Sequence, residues 1–296
     1  MNSAPGAPID SAKRQGGLRA VLGIDAAWTE KQPSGVTAAV ETEAGWRLAG
    51  IETGAGRLPA LEASYERFIA LAKGLPPSTE RPRGSKPDAV ALLEVGRKIC
   101  GLPIDLVAID MPMARHPIRG RRPSDIEVSK AYGARSAATH SPSAERPGKI
   151  SDALRLAFEH AGYPLRTLDA ASARTKGLIE VYPHPALIEF LKAPRRLEYK
   201  VARTRLYWPG LQSAEERVAQ LCKVWRRIVQ ALDQHIAGVA AALPPPASSE
   251  RGWRLKAYED KLDAVVCASV AIACLDGKAS GLGDVDSTIW IPTTEA

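Results

Sequence analysis

A mixed α/β fold, one central sheet flanked by helices, is predicted by three observations. Short apolar runs at 19–25 ("RAVLGID"), 105–110 ("DLVAID") and 177–183 ("GLIEVYP") have strand length and are apolar enough to be buried on both faces. The first is followed by two more strand-like runs, joined by the turn "TEAG" as in a hairpin. Segments with helical spacing separate the later runs, the pattern of a sheet covered by helices.

The opening "MNSAPGAPIDSAKRQGG" is polar, rich in small residues and without the apolar stretch of a secretory signal. It reads as a disordered leader over 1–18, ahead of a single domain over 19–296. After the first strand, 35–41 ("GVTAAVE") and 46–53 ("WRLAGIET") form the expected hairpin. Residues 59–74 place Leu61, Tyr65, Phe68, Ile69 and Ala72 at helical spacing, with Gly74 as the stop. A Pro-rich loop leads to a second helix over 88–100, and "DLVAID" then makes a strand closed by Met111-Pro112.

The chain to about residue 149 is basic and irregular, with a helix near 124–133. A helix over 151–161, a strand over 177–183 and a helix from Pro185 to Leu191 follow. One long helix over 213–243 carries Val218, Leu221, Trp225, Ile228, Leu232, Ile236 and Val239 on a single face. The last helix spans 257–277, and "STIWIP" suggests a terminal strand.

At 296 residues the chain has ample material for a core, and no stretch is apolar enough to span a membrane. Cys100, Cys222, Cys267 and Cys274 include no C-x-x-C pair, so they read as small core residues in a reducing cytoplasm. The net charge of +7 is concentrated. Residues 111–149 and 192–206 carry +5 each, which leaves −3 for everything else. Such segments suit a polyanionic partner, and Arg115, Arg119, Arg121, Arg122, Arg195 and Arg196 are the candidate phosphate contacts. Arg122 can alternatively pair with Asp125 in "RRPSD" and order the loop. Few aromatics lie in these segments, so binding would rest on phosphate charge and weaken with salt.

Acids end the three buried strands: Asp25, Asp110 and Glu180. The two-residue period puts Asp25 on the face of Gly23 and Val21, Asp110 on that of Ala108, and Glu180 on that of Leu178. The phase between strands is not visible in sequence. Asp260 and Asp263 share a face of the apolar last helix. A dry group of carboxylates repels itself unless a cation joins it, and hard oxygen donors favour Mg²⁺ or Mn²⁺. Two such ions about 3.5–4 Å apart can activate water and stabilise a leaving oxygen in phosphodiester cleavage. His116 and His140 lack metal-ligand spacing, His184 in "VYPHP" reads as structural with the positioning of a phosphate or water as the alternative, and no serine sits in a nucleophile pattern.

"GIDAAW", "AIDMP", "RRPSD", "IEVYPHP" and "YEDKLDAVVCA" resemble, in this order, the signature segments of a family of predicted nucleases with an RNase H-like fold, domain of unknown function 429. The similarity runs from about 20 to 291, and the last segment is also similar to the D-x-x-D-A helix of Holliday-junction resolvases. The resemblance implies a mixed five-stranded sheet flanked by helices, with helical and loop insertions. It implies Asp25, Asp110 and Asp263 as the metal-binding core, with Asp260 and Glu180 as additional or alternative ligands. Lys261 departs from the family pattern, standing between the paired acids where a small or apolar residue is usual. The expectation is a nuclease acting on DNA or RNA with Mg²⁺ or Mn²⁺. Two rivals stand beside it. One is an actin-like ATP-dependent kinase, whose Gly- and Thr-rich phosphate turn "AAWTEKQPSG" lacks; the other is a catalytically silent nucleic-acid-binding module.

Overall fold

Strand β1 (Ala20–Asp25) lies inside an eight-stranded sheet and fixes the position of its neighbours. The computed structural model describes residues 17–54, 56–75, 78–168 and 175–293; most of the expected leader falls outside them. β1 pairs antiparallel with β2 (Gly35–Thr42), which pairs with β3 (Gly45–Leu48). The chain leaves the sheet at Ala49, and β4 (Gly50–Thr53) pairs with β5 (Gly56–Pro59) in a separate ribbon. The expected strand over 46–53 is therefore two. Leu48 donates to the Ala237 carbonyl at 2.9 Å, while Ala49 donates to the Ala38 carbonyl at 2.9 Å, which turns the backbone at this point.

β6 (Leu61–Glu62) pairs with β2, and α1 (Tyr65–Leu71) begins only after Ser64, whose hydroxyl caps the Arg67 N–H. The expected helix over 59–74 thus opens as a strand. α2 (Ala89–Cys100) is capped by Asp88 and closed by Gly101 in the left-handed region. β7 (Leu106–Asp110) returns parallel to β1. α3 (Pro123–Tyr132) and α4 (Gly148–His160) precede β8 (Gly177–Val181), which is parallel to β7.

α5 (Pro183–Phe190), a 3₁₀ turn (Val201–Arg203) and α6 (Thr204–Tyr207) lead to α7 (Ala214–His235), which opens with a Ser213–Glu216 capping box. The expected helix over 213–243 is broken. Ile236 is extended, Gly238 has φ +93°, and α8 (Val239–Ala242) follows. The break lets Ala237 bond the edge of β3 through both its N–H and its carbonyl. α9 (Trp253–Leu275) is the most buried helix. β9 (Ala279–Gly283) and β10 (Thr288–Pro292) complete the sheet, β10 parallel to β8.

The sheet order is β3-β2-β1-β7-β8-β10-β9, with β6 attached to β2. The five strands expected become eight because β6 and the terminal hairpin β9–β10 also pair. Side chains alternate between two cores. Val21, Ala108 and Val181 meet α5, α7 and α9; Leu22, Ile24, Val107, Ile109 and Leu178 meet α1, α2 and α4. Among the described residues no helix is long and apolar enough to cross a membrane.

Candidate active site

The parallel ladder of β1 and β7 pairs Asp25 with Asp110 directly, at the carboxyl ends of both strands. Adjacent parallel strands lie about 4.8 Å apart, so the two carboxylates stand side by side on the face covered by α9. Two glycines bring α9 close. A Cβ on Gly23 would lie 2.2 Å from the Ala264 carbonyl oxygen, and one on Gly35, the β2 partner of Asp25, 1.9 Å from that of Asp260. The helix thus delivers Glu259, Asp260 and Asp263 to the ends of β1 and β7.

Lysines accompany these helical acids. Lys256 pairs with Asp260 Oδ1 at 2.5 Å and Glu259 Oε1 at 2.9 Å, one turn away. Lys200 pairs with Asp263 Oδ2 and lies 3.7 Å from Glu259. The Tyr199 hydroxyl donates to Asp263 Oδ1 at 2.7 Å, held there by Trp225, whose indole N–H donates to the Tyr199 carbonyl. Asp25 and Asp110 differ. Among the described residues, neither carboxylate meets a hydrogen-bond donor or ion-pair partner, and the buried Oδ2 of Asp260 also has none.

These surroundings set the protonation. Burial, then Asp263 and Asp260, push the Asp25 carboxyl well above the usual range. Burial raises Asp110 to about 7, with Lys200 opposing and Asp263 adding. Asp260 is raised to about 6 by burial, partly offset by Lys256. Burial acts against the Lys200 ammonium, but Asp263, Glu259, Asp25 and Asp110 together hold its pKa well above that of a free lysine.

Asp25, Asp110 and Asp260 line one cleft of about 700 Å³. Its walls also carry Lys256, Arg81, Arg146, Trp28 and Trp253. The size suits a nucleotide-scale ligand. Of the expected ligands, Asp25, Asp110, Asp260 and Asp263 come together, but Asp263 has both oxygens occupied. Glu180 does not line that cleft, although it borders a smaller cavity with Asp110 and its charge helps raise the Asp110 carboxyl. It registers with Ile109, one residue short of Asp110, and so sits on the opposite face with Leu178. There it accepts two hydrogen bonds from Arg122, at 2.5 and 2.8 Å, and one from the Met113 N–H at 2.7 Å.

Arg122, expected at a phosphate, is buried, and Asp125 takes further guanidinium bonds at 2.9 and 3.0 Å. The ordering ion pair is the arrangement found. Arg115, Arg119, Arg121 and Arg195 are exposed; Arg121 bonds Ser129 and Arg195 pairs with Glu198 at 3.6 Å. Arg196 is half-buried with its Nε unpartnered. Lys261 turns away from the cluster towards Glu62. His184 packs edge-on to Tyr182 and Tyr199, and burial holds its imidazole neutral.

Lys200, Lys256, Tyr199, Arg81, Arg146 and Trp253 were not singled out in the sequence. Arg146 and Lys200 were legible only as charges within the basic segments 111–149 and 192–206, and Lys256 left a local signal, at i−4 from Asp260 in "KAYED".

As folded, no group of three or more His, Cys, Asp or Glu among the described residues is arranged to hold a metal ion. Mg²⁺ commonly needs only one or two protein carboxylates, completing its shell with water and substrate phosphate. The open pair Asp25–Asp110 meets that lesser requirement, and the unpartnered Asp260 Oδ2 beside it is a hard oxygen suited to a coordinated water.

Comparison with curated proteins and with solved structures yields no match. The family model described as "Protein of unknown function (DUF429)" matches residues 23–288, nearly the whole chain, and the protein therefore belongs to the DUF429 family.

Proposed function

We propose that the protein hydrolyses phosphodiester bonds of nucleic acid with the help of Mg²⁺ or Mn²⁺. The observation that carries this reading is the unpaired carboxylate pair Asp25–Asp110, set in the floor of a cleft whose rim is cationic and aromatic. An unpaired, half-buried acid pair costs stability, and a cation is the partner that would offset it. When bound, a divalent cation supplies Lewis-acid charge and a water of lowered pKa.

The chain's own residues do the rest. Asp25 and Asp110 hold the ion, and the free Oδ2 of Asp260 accepts the proton of the attacking water. Lys256, Arg81 and Arg146 bind phosphate oxygens, and Trp28 and Trp253 offer ring faces to an unstacked base. Arg196 and the exposed Arg115, Arg119, Arg121 and Arg195 extend the positive surface along the strand. The order β3-β2-β1-β7-β8, antiparallel up to β1 and parallel beyond it, supports reading the sheet as an elaborated RNase H-like fold.

The test is cleavage of labelled single-stranded, duplex, hybrid and branched substrates across a Mn²⁺ titration, with Asp25→Asn in parallel. Metal-dependent cutting that disappears in the variant is the expected result. No cutting of any substrate at any Mn²⁺ level would overturn the reading.

A further inference from the structure

Lys200 reaches the acid cluster beside Lys256, the two ammonium groups lying 3.7 and 2.9 Å from the same Glu259 oxygen, on a segment tied down at three points. The Tyr199 carbonyl accepts from Trp225 Nε1 at 2.9 Å, the Tyr199 hydroxyl donates to Asp263 Oδ1 at 2.7 Å, and the Val201 N–H donates to Glu259 Oε2 at 2.6 Å. The lysine that this segment presents is ion-paired with the other oxygen of Asp263. For Asp263 to bind a metal, it would have to give up a buried hydrogen bond and a part-buried ion pair. Lys200 would then face the incoming ion as a like charge.

The two lysines also change the charge of the cluster. Asp25, Asp110, Glu259, Asp260 and Asp263, all ionised, carry −5, and Lys200 and Lys256 bring them to −3. The two ammonium groups contribute the charge of one divalent ion. Among the described residues only Asp25 and Asp110 of these five keep both oxygens open, and together they make one cation site.

We infer that the protein holds a single divalent cation, on Asp25 and Asp110, and that Lys200 is the fixed positive charge seated on Asp263 in place of a second metal. This rests on the metal-dependent reading above and narrows it from two ions to one. Lys200 is a positioning residue: it keeps Asp263 neutralised and out of the ligand set whether or not metal is present.

The test is Mn²⁺ binding to the full metal-stripped chain, counted by titration calorimetry and by the loss of the free-Mn²⁺ electron paramagnetic resonance signal. The wild type should bind one Mn²⁺. Asp25→Asn and Asp110→Asn should bind none, while the isosteric Asp263→Asn should keep the single site. Lys200→Met frees Oδ2 of Asp263 and should raise the count to two. Two ions on the wild type, loss of binding in Asp263→Asn, or a folded Lys200→Met still holding one would each overturn the inference while leaving a metal site in place. No binding to the wild type would overturn both this inference and the hydrolase reading. Should Lys200→Met fail to fold, the wild-type count and Asp263→Asn decide the matter.

Discussion

At Arg122 all five guanidinium protons are used, shared among Glu180, Asp125 and the Met113 carbonyl. Replacing it with Met leaves two buried carboxylates without their cation, which should cost about 3–5 kcal/mol in urea unfolding. Asp25 should respond in the opposite direction. It is half-buried and, among the described residues, has no partner, so Asp25→Asn should stabilise the metal-free protein at pH 8 by about 1 kcal/mol. The comparison of these two variants separates an acid that supports the fold from one that the fold merely tolerates. The residue types at the ends of the apolar runs were legible in the sequence, because an acid there is conspicuous. Their division into two groups was not. It depends on a one-residue offset between β7 and β8, and a strand's own alternation does not reveal how its neighbour is registered.

Among the elements, α9 does most to build the site, and its closeness to β1 and β2 depends on Gly23 and Gly35. Gly35→Ala would place a methyl group 1.9 Å from the Asp260 carbonyl oxygen, with the helix backbone as the obstacle. The helix must move, at a cost of about 1–3 kcal/mol. Asp260 moves with it, so Mn²⁺ affinity should fall even though no carboxylate is altered. Unchanged affinity in a destabilised but folded Gly35→Ala would show that the spacing of α9 is irrelevant to the site. Helices and strands with a clear apolar period were legible, as α2, α7, β1 and β7 illustrate. The interruptions were not, since Ile236 and Val239 continue the apolar face of α7 across its break. What breaks the helix is Ala237 bonding to β3, a contact nearly 190 residues away in sequence. Lys200 was legible only as one charge of the basic segment 192–206; its pairing was hidden for the same reason, since it meets Asp263 across 63 residues.

For the molecule as a whole, the acid cluster ties stability to pH and to metal. The folded-state values of Asp110, about 7, and Asp260, about 6, lie above the value of about 4 that an aspartate has in an unfolded chain. Asp25 is displaced in the same direction. The native state therefore binds more protons than the unfolded state between about pH 4 and 7. These groups make the metal-free protein less stable as pH rises through that window, and the loss is complete once the folded-state values are passed. The raised values of Lys200 and Lys256 act only in alkali and leave this slope untouched. Metal reverses the dependence. A cation on Asp25 and Asp110 needs both carboxylates ionised, so its binding strengthens as their protons leave, and it adds to native stability by mass action. Thermal unfolding followed by circular dichroism should show the melting temperature in EDTA falling from pH 5.5 to pH 8. The increase produced by millimolar Mn²⁺ should be small at the lower pH and several degrees at the higher one. Asp25→Asn should flatten the first curve and abolish the second effect. A metal-free melting temperature that rises across this range in the wild type would mean that the carboxylates are ionised and already neutralised, and the case for a cation between Asp25 and Asp110 would fail with it.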